Sequence, residues 1–233
     1  MTLTFSLSGI TEAQKRIREK GKNLFSVPSS YCIIDIETTG LSPDFDSIIE
    51  VSAVKYVDGK EVGNFTSLIK PEETYDDGTY IDDFIEKLTG ITNEMLSNAP
   101  EPLPVFKQFK DFIGKNILIG HNVNFDINFL YDNFEYYLSE KLDNDFVDTM
   151  RFSRFIHPEE AHHRLKDLAE RYKVDYSGSH RSLNDCYITH ACYEHLQKEM
   201  IQSFGSIESF IDSWKKHKRG LKATDIQASK DSF

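Results

Sequence analysis

Long apolar runs are missing from this 233-residue chain. None approaches the roughly 20 residues of a membrane span, and the first residues lack the apolar stretch of a secretory signal peptide. Cysteine is scarce as well. Three cysteines, an odd number without metal-site spacing, exclude a disulfide framework and point to a reducing, cytoplasmic setting. Cys186 and Cys192 fall six residues apart on one expected helix, where they cannot easily bridge, so all three read as small core residues. Positive charge is short: 27 Lys and Arg stand against 38 Asp and Glu, a net charge of -11. Such a chain does not hold a long polyanion by general electrostatics. Aromatic residues, by contrast, make up 12% and run through most of the length, enough for one domain with a substantial core plus appendages. There is no repeat or low-complexity segment.

The charge is unevenly placed. Residues 1–23 hold five basic and two acidic side chains, residues 213–233 six and two, and the body between them 16 basic against 34 acidic. An acidic body can still process the end of a polyanion if bound cations neutralise its acids locally.

Within that body, Asp35 and Glu37 interrupt the apolar run Tyr31-Cys-Ile-Ile-Asp-Ile-Glu-Thr-Thr-Gly-Leu41. Side chains at i and i+2 of a strand share a face, roughly 7 Å apart. Two carboxylates on a buried face repel and resist desolvation unless something positive lies between them. A divalent cation meets that need, since hard cations prefer carboxylate oxygens. The alternative is a half-exposed edge strand with solvated acids.

The β-branched segment 47–57, the Asp58-Gly59 turn and a strand over 61–69 predict, with 31–37, three antiparallel strands. Short helices are expected over 81–88 and 92–96. A further helix near Pro104 carries Val105, Phe106, Phe109, Phe112 and Ile113 on one stripe. Strands over 116–120 and 146–148 then alternate with helices over 124–138, 149–156, 163–172 and 182–199. The last of these opens on Ser182-Leu-Asn-Asp185 as a loose capping box. The pattern is α/β, a mixed five-stranded sheet of three antiparallel strands followed by two parallel ones, flanked by helices. Residues 5–22 read as an irregular start and a short basic helix, and the polar stretch from Gly220 as a flexible tail.

Asp126, in His121-Asn-Val-Asn-Phe-Asp126, follows the 117–120 strand, and Asp185 opens its helix five residues after His180. In open sheets with parallel strands, ligands gather beyond the carboxyl ends of the strands. Asp35-Ile-Glu37-Thr-Thr-Gly-Leu41, His121-Asn-Val-Asn-Phe-Asp126 and His180-Arg-Ser-Leu-Asn-Asp185, in this order and with Leu88-Thr-Gly-Ile-Thr92 between the first two, carry a resemblance. Over about residues 28–198 the chain resembles the DEDDh exonucleases, which include the epsilon proofreading subunit of bacterial DNA polymerase III and related stand-alone exonucleases.

The resemblance implies a ribonuclease H-like fold and 3′→5′ hydrolysis releasing nucleoside 5′-monophosphates; single-stranded or frayed 3′ ends of DNA are the expected substrate, though the sugar preference is not written in the motifs. It implies two divalent cations, Mg²⁺ or Mn²⁺, held by Asp35, Glu37, Asp126 and Asp185, with His180 as general base. An ordinary imidazole, changing charge near pH 6.5, suits that role. Thr38, Leu41, Thr89, Asn122 and Phe125 become substrate-contact candidates, Leu41 as a wedge against a base; for Phe125 a core position competes. Asp148 supports the site, His121 orients its loop, and His162-His163 is a helix start and surface pair. Asp44 and Asp46 read as solvated loop charges.

The domains expected are a basic helical arm over 1–27, an exonuclease domain over 28–200, and a C-terminal helix and tail over 201–233. The tail is similar to linkers that precede a further domain in some stand-alone members, which implies a fragment of a longer protein. A polymerase or repair complex is the expected partner; the absence of a Gln-x-x-Leu-Phe-like segment slightly disfavours a clamp-tethered proofreader. Two alternatives stand beside the DNA exonuclease. One is an RNA-trimming enzyme of the same fold, against which Thr38 counts, since small oligoribonucleases carry Met there. The other is a non-catalytic scaffold, against which the retention of every motif acid and the histidine counts.

Overall fold

The computed structural model describes residues 16–230, with side chains through 218. Six strands form one sheet: β1 (Asn23–Leu24), β2 (Ser30–Thr38), β3 (Ile48–Val57), β4 (Lys60–Leu68), β5 (Ile117–Gly120) and β6 (Phe146–Asp148), in the order β1-β6-β5-β2-β3-β4. β2, β3 and β4 are antiparallel, while β5, β6 and β1 add in parallel. The hairpin between β3 and β4 turns at Asp58 and Gly59, both at positive φ, as a two-residue loop matching the strand twist requires. The expected mixed sheet is present, with β1 as a sixth strand beyond the five expected.

The helices are α1 (Asp83–Thr89), α2 (Asn93–Ser97), α3 (Pro102–Ile113), α4 (Asn124–Asn133) continued by a π-helical turn (Phe134–Leu138), α5 (Thr149–Ile156), α6 (Leu165–Tyr172), α7 (Ser182–Phe204) and α8 (Ile207–Lys230). None among the described residues is long and apolar enough to cross a membrane. α8 continues through Gly220, where a flexible tail was expected; the residues that follow include the good helix formers Leu221, Lys222 and Ala223.

Strand alternation sorts the core. On β2, Cys32, Ile34 and Ile36 face the layer of α3 and α4, with Phe106, Phe109, Ile127 and Leu130. Tyr31 and Ile33 face the opposite layer, with Cys186, Cys192 and Leu196 of α7 and Phe210 of α8. Asp35 and Glu37 continue that second row, so the period of two aims both acids at α7. The three cysteines are buried and unpaired, as core residues.

The basic segment 16–22, expected in a short helix, has no helical structure. Its cations instead find partners on α4: Arg16 and Arg18 bind the buried Asp132, and Lys20 reaches Asn124 and Asn128 at 2.6 and 2.5 Å. Tertiary pairing has overridden local helix propensity. Residues 1–15 of the expected arm lie outside the described residues.

One contact fixes how β5 hands the chain to α4. A Cβ on Gly120 would meet Val123 Cγ2 at 2.6 Å and the Ile34 carbonyl oxygen at 3.1 Å. Gly120→Ala is expected to cost about 1–3 kcal/mol by overpacking, read as a fall of several degrees in thermal melting. An unchanged melting temperature would show that this turn has slack.

Candidate active site

β5 pairs with β2 only as far as Ile33↔Ile119, so the Ile36 N–H is free of that ladder. It donates to Asp126 Oδ1 at 3.1 Å, docking α4 against the peptide between Asp35 and Glu37. On the other side of β2, Asp185 lies in the first turn of α7 and accepts the His180 N–H on Oδ2 at 3.0 Å. Asp35, Glu37 and Asp185 each offer a carboxylate oxygen within 4.8 Å of the other two. Asp126 falls outside that close triad, though its charge still acts on Asp35 and Glu37. At the end of β2 the register with β3 shifts between Glu37 and Thr38, a bulge that re-aims the chain as it leaves the strand.

All four carboxyls are held above their ordinary range, chiefly by burial. Neighbouring acids add to the effect at Asp35, whose pKa lies well above normal, and at Glu37, pushed up to about 8. Asp126 is likewise pushed up to about 8. Asp185 is raised less freely, because the His180 N–H and imidazole favour its ionised form. Its Oδ1 is buried with no hydrogen-bond partner among the described residues.

The linkage has a definite sign. Between the unfolded carboxylate pKa near 4 and the folded value of about 8, the folded chain binds more protons than the unfolded one. With EDTA present, stability is therefore expected to rise as pH falls from above 8 toward 5. Thermal melting across that range checks this; a melting temperature that falls with pH would contradict it.

Supporting residues surround the acids. Asp148 Oδ1 accepts the Asn122 and Met150 N–H groups, each at 3.0 Å, capping α5 and fixing Asn122 at positive φ. His121 bridges Thr149 Oγ1 and the His163 carbonyl, and burial lowers its pKa to about 4, a neutral orienting ring. His162 is exposed, but His163 is half-buried and its ring is not free: its Nδ1 meets Ser153 Oγ at 2.8 Å. Asp46 is not a free loop charge either. It accepts the Ser42 N–H at 2.8 Å and closes the 40–47 loop, while Asp44 pairs with Arg18.

Among the substrate candidates, Leu41 is 86% exposed on that loop and Asn122 is exposed, whereas Thr38 and Phe125 are half-buried. The Thr38 hydroxyl donates to the Gly40 carbonyl, and the Phe125 ring lies 4.8 Å from Phe129. Thr89 is 4% exposed; its hydroxyl donates to the Ile85 carbonyl and accepts the Ile91 N–H. It is occupied with ending α1 and entering the next turn.

Glu50 was missed in the sequence. It pairs with Glu37 across β2 and β3, is 2% exposed, and accepts from Arg181 Nη2 at 2.6 Å and from the Ser182 N–H at 2.8 Å. Ser182 Oγ also meets Glu50 and Ser52 Oγ, so Ser182 is the first residue inside α7 rather than its cap. The available signal was Glu50-Val-Ser52, a polar i,i+2 pair within an apolar strand, repeating the Asp35–Glu37 pattern on the neighbouring strand.

The exonuclease family RNase_T matches residues 32–193. A DNA polymerase III PolC-type of Latilactobacillus sakei is 39% identical over 179 residues, 77% of this chain and 12% of that protein. The chain thus spans about an eighth of the length of that relative. Among solved structures, Exonuclease X in complex with 5′ overhanging duplex DNA superposes with a TM-score of 0.58 at 24% identity, covering 78% of this chain and 98% of the other. E. coli Exonuclease I in complex with a dA16 oligonucleotide gives 0.66 at 20% identity, covering 84% and 45%. At such identities these two show a shared fold. The match over the whole motif-bearing span settles descent: the chain belongs to the exonuclease family, in its DEDDh-type 3′→5′ branch.

Proposed function

We propose that this domain removes nucleotides one at a time from single-stranded or frayed 3′ ends of DNA, releasing nucleoside 5′-monophosphates. The observation that carries the reading is the convergence of Asp35, Glu37 and Asp185 within 4.8 Å, with Asp126 docked on the intervening peptide. The donor set fits divalent metal. It is all hard oxygen, burial raises every one of its pKa values with neighbouring acids adding at Asp35 and Glu37, and Asp185 Oδ1 is a buried acceptor left without a partner among the described residues. Those four acids would hold two Mg²⁺ or Mn²⁺ ions, which supply positive charge to activate a water and to stabilise the departing 3′ oxygen.

The chain's own residues supply the rest. His180, on the segment joined to α7, takes the proton from the attacking water. Exposed Leu41 meets the terminal base, with Thr38 beside it at the end of β2 and Asn122 at the mouth of the α4 turn. Phe125 acts through packing under that turn. The PolC-type relatives and the DNA-bound structural neighbours favour a DNA substrate and a polymerase context. A comparison of single-stranded DNA, blunt duplex DNA and RNA of matched sequence tests the substrate. Fastest loss of nucleotides is expected from single-stranded DNA; faster trimming of the RNA would move the enzyme to RNA processing with the same chemistry.

A further inference from the structure

His180 stands at φ 66°, in the left-handed region, immediately before Arg181. Its position is fixed on two sides. Its own N–H is held by Asp185 at 3.0 Å, and the next residue is anchored to Glu50 by Nε at 3.1 Å and Nη2 at 2.6 Å. Glu50 accepts in addition the N–H and hydroxyl of Ser182. A single carboxylate, buried in β3 directly opposite Glu37, therefore ties down the two residues that follow the histidine and open α7. Breaking such a pair leaves a buried charge without its partner.

Resting on the proposed role of His180, we propose that Glu50 and Arg181 are positioning residues. By tying down Arg181 and Ser182, the pair sets where the His180 ring stands. The forked guanidinium matters here, because an ammonium offers a point charge without the planar geometry.

The test uses the full chain as Arg181→Ala and Arg181→Lys, each also combined with His180→Ala. Misplacement of a reacting group is expected to lower kcat by about tenfold to a hundredfold, with KM changed less than about twofold. Arg181→Lys should recover little of the loss. Because the pair acts through His180, Arg181→Ala should cost almost nothing further in the His180→Ala background. Hydrogen exchange at the His180 and Ser182 amides should accelerate in both Arg181 variants. An equal fold-loss in the two backgrounds, a rise in KM alone, or unchanged amide protection would overturn the proposal. Should Arg181→Ala fail to fold, Arg181→Lys carries the same readouts. Wild-type protein that cleaves nothing would defeat the functional reading instead, and amide exchange would still decide whether the clamp orders the segment.

Discussion

Asp35→Ala is expected to abolish turnover, by at least about 10³-fold in kcat/KM, while the protein stays folded and melts no lower in EDTA than the parent chain. The two halves of this result have one cause. Asp35 is pushed well above the usual carboxylate range by burial and by Asp126, Glu37 and Asp185. Above the ordinary carboxylate range its ionisation opposes folding, so removing the group relieves the desolvation and repulsion that the fold otherwise has to bear. The same charge is what a divalent cation needs, so its loss should also weaken Mn²⁺ binding in a calorimetric titration. Full activity in this variant would sink the assignment of the acid cluster. A collapse in melting temperature would show that Asp35 is structural.

Loss of His180 should be the second-largest effect. A positioned general base contributes about 10² to 10⁴-fold, so His180→Ala is expected to fall in that range with metal binding retained. His180 occupies positive φ, where glycine is unstrained. His180→Gly therefore serves as a control: equal loss of rate with an eased backbone assigns the effect to the imidazole. A variant retaining the rate would remove His180 from the chemistry.

The acids were legible because each breaks a pattern. Asp35 and Glu37 occupy positions where a buried strand calls for Ile or Val. Asp126 and Asp185 open helices just beyond the β-strand or loop that delivers them. β6 and α5 were legible to the residue, at 146–148 and 149–156. What was not legible depends on distant partners. Asn23-Leu24 has no periodicity of its own and becomes a strand only by parallel pairing with Phe146 and Val147. Arg16 and Arg18 are good helix formers, yet Asp132, more than a hundred residues away, draws them into a segment without helical structure. Ser182 looks like a cap until Glu50 takes both its N–H and its hydroxyl. Thr89 sits in a matching motif, but its hydroxyl is committed to the backbone around it.

The central claim, a metal-dependent 3′→5′ trimming activity built on the acid cluster, is tested most directly by following 5′-labelled single-stranded DNA on a gel. Wild-type protein with Mg²⁺ or Mn²⁺ should give a ladder shortening stepwise from the 3′ end, absent in EDTA and absent with Asp35→Ala. Release of the 5′ label first, cleavage that persists in EDTA, or no cleavage with metal present would contradict the account.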